Sequence, residues 1–383
     1  MKSIAIIASL AAVLCVHAAD PGTPATPEPT LNDTTPQAAK PVVDVVFVLD
    51  STGSMSGLIE GAKEKIWSIA NSVISQQPRP VVRIGLVSYR DRKDEYVTKK
   101  FDLTDDIDTV FKNLRSLKAG GGGDTPESVN QALDEAVTSM KWSDAKDSSK
   151  IIFLVGDCPP HMDYQDDVKY PVTCKTAATS GIIINTVQCG GHGETTPVWQ
   201  EIAKLAEGTY VALAQTGGMV AMTTPHDGEI AKLSAALGET SVAYGSVAQQ
   251  ISVREKNTVA KDAAPAVAAS RAAFNTMTGG KAIQGRGDLV ADLADGSVKL
   301  ESVKEEELPP EMKKMTEPER KAYLEEQQAK RSTLNKQLDE LVRQRADFIE
   351  QEKARLAKEG KGDSFDLKVE ETIKEQVKRT GKK

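Results

Sequence analysis

Residues 42–56 read VVDVVFVLDSTGSMS. The run Val45-Val46-Phe47-Val48-Leu49 is continuously apolar and rich in β-branched and aromatic side chains, which predicts a strand buried on both faces. It stops at Asp50, where the chain leaves the sheet. Asp50, Thr52 and Ser54 follow at i, i+2 and i+4, so a tight loop can turn three oxygens to one side. Gly53 lets that loop close sharply. One carboxylate and two hydroxyls make a hard, oxygen-only half-shell suited to Mg²⁺. The same residues can also cap a helix entering at Leu58-Ile59-Glu60, and the two roles are compatible.

Working outward, strands and helices alternate. Strands are expected at residues 81–89, 151–155, 181–188 and 209–213, with a looser edge or hairpin strand at 96–103. Helices are expected at 58–74, 107–117, 126–140, 168–180, 197–206 and 227–237. This alternation predicts an α/β, doubly wound, mostly parallel sheet with helices on both faces. In such sheets ligands sit beyond the carboxyl ends of the strands, where strand order reverses. Two further loops are candidates to meet the Asp50 loop. Gly120-Gly121-Gly122-Gly123-Asp124-Thr125-Pro126-Glu127 combines backbone freedom with a Thr-Pro helix start. Without a Gly-Lys-Ser/Thr ending it does not read as a nucleotide loop. Gly156-Asp157-Cys158-Pro159-Pro160-His161 places Asp157 after its strand as Asp50 follows its own.

Asp50-Ser51-Thr52-Gly53-Ser54 resembles the D-x-T-x-S signature of von Willebrand factor type A domains. The resemblance covers roughly residues 42–237, and the Gly-Asp-Cys-Pro-Pro-His form is most similar to an exported bacterial branch and to type A domains that accompany alpha-kinases. It implies a metal-ion-dependent adhesion site with Asp50, Thr52, Ser54, Thr125 and Asp157 as ligands, Asp157 acting through water. Asp124 stands as the alternate to Thr125, because the family's Thr position falls nearer Gly123. The implied cofactor is Mg²⁺, with Mn²⁺ or Ca²⁺ as alternatives. The implied partner is a protein that offers an acidic residue to the ion.

The chain has 383 residues and a net charge of −7, which gives no basic character for nucleic acid. Residues 1–19 read as a secretory signal, with Lys2 before a short apolar run and small residues at the end. A secreted or periplasmic location follows; anchoring as a lipoprotein through Cys15 is the lesser alternative. Residues 20–40 read as a Pro/Thr-rich disordered linker, residues 41–240 as the type A domain, and residues 241–383 as a helical region. No later stretch is apolar enough to cross a membrane. Removing the signal leaves Cys158, Cys174 and Cys189; if a bridge forms, Cys174–Cys189 is expected, with Cys158–Cys189 as the rival.

Other polar groups are read as solvated loop: Arg90-Asp91-Arg92-Lys93-Asp94-Glu95, and His161, Asp163, Asp166 and Asp167, although the latter set could build a second metal site or a general base. Arg286-Gly287-Asp288 matches an adhesive tripeptide and is read as chance, with Asp288 capping a helix. Thr316 and Glu319 have capping-box spacing before a helix expected to run to about residue 358, outside the sheet's core. Its Leu334, Leu338, Leu341, Arg345 and Phe348 form a heptad-like seam, open to a short coiled coil or helix-mediated self-association. Protease is expected to release a sheet domain ending between about residues 238 and 310. Three functions compete: an exported, non-enzymatic binding module, an envelope scaffold working through the long helix, and a Mg²⁺-dependent hydrolase. The hydroxyl-rich shell and the lack of a nucleophile motif favour the first.

Overall fold

The apolar runs form six strands: β1 (Val42–Asp50), β2 (Val81–Tyr89), β3 (Thr98–Thr104), β4 (Ser148–Gly156), β5 (Ile182–Cys189) and β6 (Glu207–Leu213). The structure, a computed structural model, describes residues 40–145, 147–215, 222–358 and 365–380. The leader and nearly all of the linker read from the sequence, including Cys15, lie outside the described residues. The strands lie in the order β3-β2-β1-β4-β5-β6. All pairings are parallel except β2–β3, which is antiparallel at the sheet edge. This is the doubly wound, mostly parallel sheet expected from the alternation of elements.

The helices are α1 (Ser56–Ile74), α2 (Ile107–Ser116), α3 (Val129–Thr138), α4 (Tyr170–Thr179), α5 (Thr195–Leu205), α6 (Asp227–Glu239), α7 (Val247–Lys261), α8 (Pro265–Met277), α9 (Leu289–Ala294), α10 (Pro310–Lys313), α11 (Glu317–Lys358) and α12 (Phe365–Thr380). Side chains alternate along a strand, so β1 feeds two cores. Val43, Val45, Phe47 and Leu49 join one core with α1, α2, Val267 and Phe274 of α8, and Val369 and Ile373 of α12. Val46 and Val48 join the other, with α3, α4 and α5. Phe47 stacks on Phe153 of β4 at 5.6 Å.

The helical region after residue 240 does not stand apart from the sheet. Besides α8 and α12 in the sheet core, Arg271 of α8 makes a buried two-pronged pair with Asp108 of α2 at 2.7 and 2.8 Å. Gln376 of α12 donates to Asn185 of β5 at 2.7 Å. Residues 40–383 form one compact unit. A cut between residues 238 and 310, where protease release of a sheet domain is expected from the sequence, would strip away helices that cover its core.

Helix α11 follows its capping box, with Thr316 N–H and hydroxyl both donating to Glu319. Its Leu334, Leu338 and Leu341 pack within the chain against Ile230, Leu237, Ala269 and Ala272 of α6 and α8. Arg345, which interrupts the seam, donates to Asp227 of α6 at 2.7 Å. The seam is thus spent inside the molecule. Asp288 does cap α9, accepting from Val290 N–H, and it is buried beside Arg331.

Cys158, Cys174 and Cys189 are free thiols. The expected Cys174–Cys189 bridge fails because the two side chains lie in different cores on opposite faces of the sheet. Among the described residues no helix is long and apolar enough to cross a membrane.

Candidate metal centre

Strand order reverses at β1, which has β2 on one side and β4 on the other; Leu49 pairs with Val155. The loops that leave β1 and β4 therefore open at the same rim, the place where a doubly wound sheet binds its ligand. Asp50 ends β1 fully buried. Its Oδ1 accepts from Thr52 N–H at 2.8 Å and from Thr52 Oγ1 at 2.7 Å. Thr52 Oγ1 lies 3.3 Å from Ser54 Oγ, so the three oxygens do turn to one side. The loop is anchored by a hydroxyl chain, Ser88 Oγ donating to Ser51 Oγ at 2.7 Å, and by Ser51 Oγ donating to the carbonyl of Tyr89.

Asp157 arrives from β4, also buried. Thr195 Oγ1 fixes its carbonyl at 2.8 Å. Its Oδ2 accepts from Gln215 Nε2 at 2.7 Å, and the same amide reaches the Ser54 carbonyl at 3.4 Å. Gln215, just past β6, thus bridges the two loops. At Gly156 an added Cβ would lie 2.5 Å from the Tyr89 hydroxyl and 3.2 Å from Asp50 Oδ2, so the close approach of these groups requires glycine there.

The Gly-rich segment crosses over the Asp50 loop. Gly53 N–H donates to the Gly121 carbonyl, and Gly120 N–H to the Ser51 carbonyl. Gly122, at φ +80°, passes so close that a Cβ would meet Thr52 at 3.0 Å and Glu127 Oε1 at 3.1 Å. Gly122 thus passes between Thr52 and Glu127. Thr125 is exposed and makes no hydrogen bond among the described residues. Asp124 faces away, toward His161. Glu127 ends up here because its N–H donates to the Pro159 carbonyl and it bridges to Pro160. That tie also delays the start of α3 to Val129, three residues later than the sequence suggests.

Asp50, Asp157 and Glu127 thus lie within electrostatic reach of one another, and none of the three has an ion-pair partner among the described residues. Burial pushes the Asp50 carboxyl up to about 7, against the Thr52 hydrogen bonds and with help from Asp157. Burial, then the charges of Asp50, Asp91, Asp94 and Asp157, push Glu127 up to about 9. Asp50 Oδ2, Asp157 Oδ1, Glu127 Oε2 and the Tyr89 hydroxyl are buried with no hydrogen-bond partner. Buried polar oxygens are rarely orphaned, and a cation between Asp50 and Asp157 is a group that would satisfy theirs. An all-oxygen collection of carboxylates and hydroxyls fits a hard divalent ion.

Arg90 and Asp91 depart from the solvated-loop reading, for both are buried. Arg90 braces the rim: Nε donates to the Ser51 carbonyl at 3.2 Å, Nη2 to the Lys118 carbonyl at 2.7 Å, and the guanidinium lies over the Tyr96 ring. Sequence spacing gives no sign of Gln215 or of the part played by Glu127, since both depend on how distant loops cross.

Residues 44–225 match the model of the von Willebrand factor A domain. Over 199 residues, 48% of this chain, the sequence is 25% identical to an ariadne-like RING finger protein of Acanthamoeba polyphaga mimivirus. Over 133 residues, 32% of this chain, it is 29% identical to an alpha-protein kinase of Dictyostelium discoideum. The matches span 19% of the length of each of these relatives. Similar solved structures include the SpRpn10 VWA domain, with a TM-score of 0.36 and 16% identity over 46% of this chain and 89% of that one. Another is proximal thread matrix protein 1 of the mussel byssus, with a TM-score of 0.35 and 14% identity over 46% of this chain and 42% of that one. The sheet region, residues 44–225, is a von Willebrand factor A domain.

Proposed function

We propose that this domain is a protein-binding module whose contact depends on a divalent cation held at Asp50, Thr52, Ser54 and Asp157. The observation that carries the reading is the pair of buried, unpartnered oxygens, Asp50 Oδ2 and Asp157 Oδ1, neither carboxylate having an ion-pair partner among the described residues. Mg²⁺ is the ion of choice, with Mn²⁺ or Ca²⁺ as substitutes; when bound it supplies an electrophilic position that an acidic side chain of a partner can enter. The chain's own residues do the rest. Thr52 and Ser54 offer neutral oxygens, which leave the ion's charge largely unspent. Gln215 holds Asp157 in place, and Arg90 holds the loop that carries Thr52. Thr125 remains the family-implied ligand from the Gly-rich loop, and Glu127 is a further buried carboxylate within electrostatic reach of Asp50.

A binding role is favoured over hydrolysis because the oxygens gathered at the site, carboxylates and hydroxyls, are of the kind that would ligate an ion. It is favoured over a helical scaffold because the α11 seam is already covered by α6 and α8. The leader-like character of residues 1–19 supports a role outside the cytoplasm. Calorimetric titration with Mg²⁺ on wild type and Asp50→Ala tests the reading. Binding to wild type and at least a tenfold weaker affinity in the variant are expected, as is partner capture that is lost with EDTA and restored by Mg²⁺. Equal Mg²⁺ affinity in the two proteins would remove the site.

A further inference from the structure

Asp91, Asp124 and His161 converge beside the Asp50 site, each offering an atom within 4.8 Å of the other two. His161 Nε2 lies 3.4 Å from Asp91 Oδ2 and 3.9 Å from Asp124 Oδ2. His161 is only 5% exposed, and its Nε2 has no hydrogen-bond partner. Asp91 is set by Ser128 Oγ at 2.9 Å and by the Tyr164 hydroxyl at 3.0 Å. His161 is clamped at both ends of its peptide: its N–H donates to the Glu127 carbonyl, and its carbonyl accepts from Asn130 Nδ2 at 2.6 Å. Its ring stacks on Tyr164 with centroids 4.0 Å apart. Arg92 lies on the Tyr164 ring and pairs with Asp166 and Asp167.

The other ring nitrogen decides the chemistry. His161 Nδ1 lies 2.8 Å from Asp163 Oδ1. A carboxylate can only accept there, so Nδ1 carries the proton. The far nitrogen, Nε2, faces two carboxylates, an arrangement that a cation lying among them would satisfy. A carboxylate that orients a histidine whose far nitrogen points at acidic groups is the usual second-shell pattern of a metal-bound imidazole. For ligands at about 2.0–2.1 Å in tetrahedral array, donor atoms stand roughly 3.3 Å apart, close to the spacing of His161 and Asp91. Asp124, 65% exposed on the Gly-rich loop, closes the third side with a small movement. Imidazole with carboxylates suits zinc-like ions, whereas Mg²⁺ and Ca²⁺ prefer oxygen alone.

We propose that Asp91, Asp124 and His161 form a second divalent-metal site, for a zinc-class ion, with Asp163 as the residue that orients His161. It is distinct from the all-oxygen Asp50 site and does not depend on it. Occupation would pin Asp124 and so fix the Gly-rich loop that crosses over Thr52.

The test titrates the full chain with Zn²⁺ by calorimetry, in the presence of saturating Mg²⁺, and follows Co²⁺ substitution by visible absorption. Wild type and Asp50→Ala are expected to bind one Zn²⁺ with equal affinity. Asp124→Ala, at an exposed position, should weaken binding at least about tenfold, Asp163→Asn about tenfold through the second shell, and His161→Phe, which keeps the stacked ring, should abolish it. The cobalt bands of the site should disappear when His161 is replaced. Zinc affinity unchanged in Asp124→Ala overturns the proposal, as does zinc binding lost in Asp50→Ala. Should His161→Phe fail to fold, Asp124→Ala and Asp163→Asn still decide. Loss of Mg²⁺ binding in Asp50→Ala bears only on the first site.

Discussion

Asp50 accepts two hydrogen bonds from Thr52, leaves its other oxygen bare, and lies fully buried beside Asp157. Its folded carboxyl titrates near 7, above its ordinary value. A carboxyl raised on folding contributes stability while protonated and loses it as pH rises through the folded value. Near pH 8 the metal-free protein therefore carries a buried charge at a cost. Asp50→Asn keeps an oxygen for Thr52 and removes that charge. In EDTA at pH 8 it should melt at or above wild type. In Mg²⁺ the order should reverse, because wild type alone gains binding free energy, about 2.7 kcal/mol at a hundred times Kd. Thermal melts in both conditions check this; an unchanged order on adding Mg²⁺ would sink it. That Asp50, Thr52, Ser54 and Asp157 come to one rim of the sheet is legible in the sequence, because each stands at or just after the end of an apolar strand. The place of Glu127 and Gln215 is not, because the first reaches the site through a tie to Pro159 and Pro160 and the second from beyond β6.

At the scale of elements, continuous apolar runs fix the inner strands with little ambiguity, and β1 and β2 have nearly the bounds their patterns imply. Face parity was harder. Cys174 and Cys189 fall near one rim by sequence, yet the side-chain alternation of β5 sends Cys189 to the core opposite that of Cys174. Charged positions in the helices also misled, since burial of an arginine depends on its partner. Arg345 interrupts a seam in the sequence and is the partner of Asp227; Arg271, which no sequence pattern singles out, is the partner of Asp108. Arg271 also donates to the Ala282 carbonyl at 2.7 Å, and Asp108 accepts from Gln284 N–H at 2.8 Å. This one pair joins α2, α8 and the loop after α8. Removing one partner of a buried ion pair leaves an uncompensated charge and costs about 3–5 kcal/mol. Arg271→Met, which keeps most of the side-chain volume, should lose that much in denaturant unfolding. A loss below about 1 kcal/mol would show that the pair contributes little to docking α8 on the sheet domain.

For the whole molecule the question is whether the type A domain can exist without the helices that follow it. One face of the sheet is closed by Val267, Phe274, Val369 and Ile373, which come from α8 and α12. Burying such a side chain contributes about 1.5–3 kcal/mol, so the four together contribute roughly 6–12 kcal/mol. That is comparable to the whole stability of an ordinary domain, about 5–15 kcal/mol. A fragment ending at residue 245 forfeits all four and also the Arg271–Asp108 pair. A fragment ending at residue 358 forfeits only Val369 and Ile373, roughly 3–6 kcal/mol by the same figure, together with the Gln376–Asn185 hydrogen bonds of α12. The expected order is therefore graded. The chain from residue 40 to its end unfolds in one cooperative transition, the 358 fragment in one transition at lower denaturant, and the 245 fragment in none. Urea unfolding followed by circular dichroism on the three proteins measures it directly. A 245 fragment that unfolds cooperatively at the midpoint of the longer chain would mean that the sheet is closed without α8 and α12, and that the helical region is an accessory to a self-sufficient binding domain.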